Sequence, residues 1–201
     1  MKILAIGAHP DDIELGCGGT ICLYNLNNRP VYGLILSNGE RSGDPVIRKQ
    51  ESVDSLNKLG VKRLFFGELP DTKIGNDITT ISVIEDIVNK LKPDIIFTHS
   101  INEIHQDHRN TAISTFSAAR NVPTILCYES PSLMTDFKPQ CYHDILKTID
   151  QKIEALKLHK SQIDKRYFKI DAILGLAKFR GNQINLKYAE SFEVFKMLNF
   201  V

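Results

Sequence analysis

Short apolar runs of strand length recur along this chain, and each is separated from the next by a stretch with helical spacing. The runs are Ile3 to Gly7, Val31 to Leu36, Arg63 to Phe66, Asp94 to Thr98 and Pro123 to Tyr128. The intervening stretches run from about Asp12 to Asn25, Pro45 to Leu59, Ile78 to Leu91 and Asp107 to Arg120. Pro45 suits a helix's first turn, Gly60 its end, and Lys92-Pro93 closes the third. Strands joined by crossover helices can only form a mostly parallel sheet covered on both faces. The expectation is therefore an α/β fold, one domain over residues 1–201.

The last third is less regular. His143 to Leu158 reads as helix, and Lys160 to Phe179 as a second helix that buries Ile170, Ile173, Leu174 and Ala177. Tyr188 to Leu198 suits a strand or a short helix. There is no internal repeat, low-complexity tract or linker.

Composition excludes several classes. Hydrophobic residues at 42% and charged residues at 24% predict a packed core. A net charge of +1 argues against a general nucleic-acid or membrane binder. The apolar N-terminal run soon meets two aspartates and reads as a buried strand, not a signal peptide. No stretch has the length to span a bilayer. Cys17, Cys22, Cys127 and Cys141 form neither a C-x-x-C pair nor a disulfide framework, so reduced thiols in a cytoplasmic protein are expected.

Chemistry concentrates in two clusters. Ala8-His9-Pro10-Asp11-Asp12-Ile13-Glu14 follows the first strand, and His105-Gln106-Asp107-His108 follows the run that ends at His99. Ligands of open parallel sheets bind at the carboxyl ends of strands, which is where both clusters fall. A catalytic zinc needs about three protein ligands and one open position. Neither cluster supplies that alone; together they supply His9, Asp12 and His108. The open position would hold a water of lowered pKa. Asp11, adjacent to a ligand and not needed for ligation, suits the general base. His105 could stabilise an oxyanion or protonate a departing amine, with Asp107 holding its tautomer.

Simpler readings exist for each residue. Asp11 and Asp12 could cap a helix, as could Asp107. His99 reads as a structural strand-end residue or one that supports a ligand. Arg48 and Glu51 suit an i, i+3 pair. Arg41, in a glycine-flanked loop, suits a substrate carboxylate or phosphate.

These residues resemble those of the PIG-L/LmbE-like zinc-dependent de-N-acetylases. The first cluster with Gly16-Cys17-Gly18-Gly19-Thr20 and the second cluster carry the resemblance. Asn38-Gly39-Glu40, Arg48, Glu51, Leu59-Gly60-Val61, His159-Lys160-Ser161-Gln162 and Ala189-Glu190-Ser191-Phe192 extend it over most of the chain. Here Ile13 intervenes between the two aspartates and Glu14, where the usual motif has glutamate next. The resemblance implies a Rossmann-like sheet and one Zn2+ per chain, another divalent transition metal being an alternative. It implies removal of an N-acetyl group from an N-acetylglucosamine-type sugar or conjugate. It carries over His9, Asp12 and His108 as ligands, Asp11 as base, His105 as oxyanion or acid residue and Asp107 as its partner. The partner is then a small N-acyl sugar, and family members often assemble into homo-oligomers. A deformylase or another amidase would use the same metal site. A Rossmann nucleotide-binding module, suggested by Gly16 and Gly18, sits poorly with acidic side chains where a pyrophosphate would lie.

Overall fold

A computed structural model describes residues 1–198; positions 199–201 of the expected domain lie outside the described residues. The first part alternates as the sequence predicts: β1 Ile3–Gly7, α1 Asp12–Leu26, β2 Val31–Ser37, α2 Pro45–Lys58, β3 Arg63–Leu69, α3 Ile78–Leu91, β4 Ile95–Thr98, α4 Gln106–Ala118 and β5 Thr124–Tyr128. After these come β6 Cys141–Asp144, α5 Ile149–Leu156, a 3-10 turn at Arg166–Phe168, α6 Ile170–Asn182 and β7 Ala189–Lys196.

The strands form one seven-stranded sheet in the order β3-β2-β1-β4-β5-β7-β6. β1 to β5 pair in parallel, and β7 and β6 add an antiparallel edge. Side chains alternate across the buried β1 strand. Ile3 and Ala5 join a core with Leu56 of α2 and Ala155 of α5. Leu4 and Ile6 join the opposite core with Ile84 and Val88 of α3 and Ala118 of α4. Each such aliphatic side chain contributes about 1.5–3 kcal/mol by leaving water.

The C-terminal third departs from the sequence reading. The stretch expected as helix from His143 begins as a strand, because His143 pairs with Glu190 and Tyr142 with Ser191 across β6 and β7. Lys160 begins no helix. Glu51 takes hydrogen bonds from Ser161 N (2.8 Å) and Ser161 Oγ (2.6 Å), and the chain turns before α6 starts at Ile170. Tyr188 to Leu198 resolves as strand β7.

One buried ion pair packs against α1 behind the first cluster. α1 is kinked at Cys17 (φ −143°, ψ 22°). The freed N–H groups of Gly19 and Thr20 donate to the Glu190 carboxylate at 2.9 and 2.7 Å, an anion at a helix start. Lys152 neutralises it at 2.6 Å and also donates to Leu15 O at 2.7 Å. At Gly16, a Cβ would overlap the Tyr128 ring, whose hydroxyl crosses under β1 to Ile6 O (2.8 Å). Gly18 and Gly19 face Lys152 and Ile145 in the same way. The glycines of this segment thus serve packing, which removes the basis for a dinucleotide fingerprint.

Candidate functional site

The segments that follow β1 to β5 converge on one cavity of about 370 Å³. It is lined by His9, Asp11 and Asp12 after β1, Arg41 after β2, Asp71 and Thr72 after β3, His105 and His108 after β4, and Ser130 to Ser132 after β5. The two sequence clusters, far apart in the chain, therefore share one site.

His9 Nδ1 lies 3.3 Å from His108 Nε2. Asp12 closes a triangle, with Oδ2 3.5 Å from His9 Nδ1 and Oδ1 3.4 Å from His108 Nε2. Tetrahedral zinc with bonds of about 2.0–2.1 Å places its ligand atoms about 3.3–3.4 Å apart, so each of these separations suits neighbouring ligands, the two Asp12 distances being to different oxygens of one carboxylate. Two imidazole nitrogens this close need a proton or a cation between them.

The outer nitrogens of both rings are held. His9 Nε2 meets Asp107 Oδ2 and Asp71 Oδ1, each at 3.2 Å, which places its proton there and frees Nδ1. His108 Nδ1 faces Glu103 Oε2 at 3.4 Å and Ser132 Oγ at 3.3 Å, freeing Nε2. Glu103 is fully buried and also accepts from the hydroxyls of Ser130 and Ser132. Against a burial that opposes it, His108 and His99 hold the Glu103 carboxyl well below the usual range. Burial lowers His9, but Asp107, Asp12 and Asp71 outweigh it and raise its pKa.

Other donor groupings come close together: His9, His105 and His108, or Asp12, His99 and His108, or His9, Asp71 and Asp107, each within 4.8 Å. Hydrogen bonds already commit the additional members. His99 Nε2 sits between Ala8 N (3.2 Å) and Asp12 Oδ2 (3.1 Å) in the closed interior. Asp71 and Asp107 take the backbone N–H groups of Arg41 (2.9 Å) and Thr72 (2.7 Å) as well as His9. His105 Nδ1 accepts the backbone N–H of Asp107 at 3.2 Å, which leaves its proton on Nε2. His9 Nδ1, His108 Nε2 and Asp12 Oδ1 carry no such commitment to a third group, although Asp12 Oδ2 accepts the backbone N–H of His9 at 2.7 Å and meets His99.

The Asp107 carboxylate does not meet His105, as the sequence reading expected; it bonds His9 and Thr72. The cap of α4 is His105. Burial and the nearby His9 hold His105 below the ordinary imidazole value, so Asp107 does not drive it into its charged form.

Asp11 occupies the N-cap position of α1 without capping it and adopts a left-handed backbone (φ 100°). A non-glycine residue there stores about 1–3 kcal/mol of strain, which its surroundings must offset. Arg48 does so. Its guanidinium donates to Pro10 O (2.7 Å), Gly39 O (2.8 Å) and Asp11 Oδ2 (3.2 Å). The expected pairing with Glu51 is absent among the described residues, Glu51 being bonded to Ser161. Gly39 (φ 68°) leaves the space that the guanidinium fills. Burial, then the Asp12 charge, push the Asp11 carboxyl up to about 7, with Arg48 pulling the other way.

Asp71, Glu103, Tyr167 and Lys165 were not singled out for this site by the sequence, and Arg48 was read mainly as a structural residue, yet all line it or support it. Asp71 had a usable signal: it lies two residues past the carboxyl end of β3, after Pro70.

The GlcNAc-PI de-N-acetylase family, PIG-L, matches residues 4–119, a span that carries both clusters. The chain belongs to the PIG-L family. An uncharacterised deacetylase of Escherichia coli K12, YaiS, is 36% identical to this PIG-L chain, over 79% of it and 90% of the relative. The N,N'-diacetylchitobiose deacetylase of Pyrococcus horikoshii superposes on 96% of the chain and 83% of its own, with a TM-score of 0.86 and 25% identity. The 4-carboxy-2-hydroxymuconate hydratase of Pseudomonas putida superposes on 100% of the chain and 98% of its own, at TM-score 0.88 and 18% identity. That last likeness shows the fold alone, so the reaction must be argued from the site. No helix among the described residues is long and apolar enough to cross a membrane.

Proposed function

We propose that this PIG-L protein hydrolyses the N-acyl amide of an amino sugar or its conjugate, N-acetyl included, with His9, Asp12 and His108 holding one divalent cation, Zn2+ by ligand type. The observation that carries this is the triangle of His9 Nδ1, His108 Nε2 and Asp12 at 3.3–3.5 Å, beside a buried carboxylate not used in it. When bound, the cation supplies Lewis-acid polarisation and an acidified water. Names of relatives support the substrate class: one acts on diacetylchitobiose, and a Bacillus cereus relative 25% identical is a probable N-acetyl-alpha-D-glucosaminyl L-malate deacetylase.

The chain's own groups divide the work. Asp11 takes a proton from the attacking water; a carboxyl tuned near 7 both accepts and returns a proton at neutral pH. Arg48 fixes its direction. His105, neutral and carrying its proton on Nε2, donates that N–H to the developing oxyanion, a contact worth about 3–4 kcal/mol in the transition state. The proton taken by Asp11 passes to the departing amine. Asp107 orients His9 in place of the expected partnership with His105. Arg41 lines the same cavity and meets a carboxylate or phosphate of the conjugate. Deformylase or other amidase chemistry would use the same groups; the acyl group distinguishes them.

Zinc-loaded protein incubated with a panel of N-acyl amino sugars should release free amine, read by mass spectrometry. Asp11→Asn should retain zinc and lose about 10²–10⁴ of the turnover. A loaded, folded protein that deacylates none of the panel would refute the proposal.

A further inference from the structure

A second cavity of about 180 Å³ adjoins the first. Leu15, Pro131 and Tyr167 line both. Arg41, Asp71 and Thr72 line only the larger one. The shared lining is therefore distinct from the charged groups proposed to face a sugar conjugate. It is also next to the chemistry: Leu15 lies one helical turn after Asp12, and Tyr167 lines the larger cavity together with Asp11.

The second cavity is built for apolar matter. Ala172, Ile173, Leu176 and Ala177 of α6 form one wall. Its polar groups are already paired. Arg180 holds Glu129 through two bonds (2.6 and 2.7 Å), Ser191 Oγ donates to Glu129 at 2.6 Å, and Lys152 holds Glu190 at 2.6 Å. A sugar's hydroxyls would exchange water for a surface with its partners taken, at a cost; a hydrocarbon chain needs none. A cavity of about 150 Å³ lined by aliphatic and aromatic side chains accommodates benzene, so this one holds about six carbons. The methyl of an acetyl group cannot fill it.

Building on the deacylase reading above, we propose that the preferred substrate carries a medium-chain N-acyl group of about six carbons, its tail seated under α6. Water adds its oxygen to the acyl carbon, the C–N bond breaks, the amine nitrogen takes a proton, and a short fatty carboxylate leaves. Leu15, Pro131 and Tyr167 form the passage between the carbonyl and its tail.

The test compares N-acetyl-, N-butyryl-, N-hexanoyl- and N-decanoylglucosamine with the zinc-loaded full chain. Each methylene that enters the cavity should raise kcat/KM about fourfold, so hexanoyl with at least two more methylenes seated should exceed acetyl by at least about tenfold, and decanoyl should fall back. Ala172→Phe, at an exposed helical position facing the cavity, should cut the hexanoyl-to-acetyl ratio by about fivefold or more. Free hexanoate should raise the thermal midpoint where equimolar acetate does not, and Ala172→Phe should abolish that difference. Acetyl turnover equal to or above hexanoyl, with the ratio unmoved by Ala172→Phe, would overturn the acyl-tail site and leave the deacylase reading standing. No turnover of any chain length would overturn both.

Discussion

Arg48→Met removes a side chain that ties the first loop to the second, and its cost follows from the contacts. The Arg48 and Asp11 side chains are 3% and 5% exposed. At pH 9, where Asp11 is charged, removing one member of a buried ion pair costs about 3–5 kcal/mol, because the other charge stays behind; at pH 7 the carboxyl, pushed up to about 7 even with Arg48 present, takes up a proton and the cost is smaller. The carbonyls of Pro10 and Gly39 also lose their donor. Arg48 borders the cavity, so water can reach these carbonyls and the additional loss is small. In a domain of this size, 1 kcal/mol shifts the midpoint by about 2–4 °C, which predicts a fall of about 6–20 °C at pH 9. Arg48→Lys keeps the charge but not the fork of donors, and should recover less than half of the loss. The assay is thermal unfolding in chelator, followed by circular dichroism, with urea midpoints as a check. A midpoint within about 3 °C of the parent at pH 9 would refute the claim that Arg48 holds Asp11 in its strained conformation.

Glu103→Ala leaves His108 Nδ1 without its carboxylate and should weaken zinc binding by about 10–100-fold in competition with a chromophoric chelator; unchanged affinity in a folded variant would contradict its orienting role. His159 is buried, which lowers its pKa, but Glu14 at 2.8 Å outweighs this and raises it above 6.5. That pair stabilises the fold fully below the unfolded imidazole value and loses its effect as pH rises through the higher folded value. His159→Gln should therefore cost about 3–5 kcal/mol at pH 6 and clearly less at pH 9, by urea midpoints; an equal loss at both would count against the pair.

Candidate site residues that are neighbours in sequence, or that end a strand, could be read directly. His9, Asp11 and Asp12 are contiguous, and the second cluster follows β4 after a short loop. Partners that meet only through folding could not. Asp71 reaches His9 from the end of β3, and Glu103 reaches His108 because the loop after β4 folds back on Ser130 and Ser132. Spacing favoured an Arg48–Glu51 pair, yet three acceptors converge on the guanidinium, while the i+3 carboxylate of Glu51 is buried against Ser161. The parallel part of the sheet was legible because each strand is a buried apolar run. β6 was not: its Cys-Tyr-His-Asp sequence gains strand structure from pairing with β7, a contact distant in the chain.

The most direct test of the account is the metal content and affinity of the folded protein. Parent protein loaded with Zn2+ and exhaustively dialysed should carry one ion per chain by elemental analysis. His9→Ala and His108→Ala, from loops far apart in sequence, should each lose it while staying folded. A folded parent that retains no divalent metal, or a His108→Ala variant that binds zinc as tightly as the parent, would contradict it.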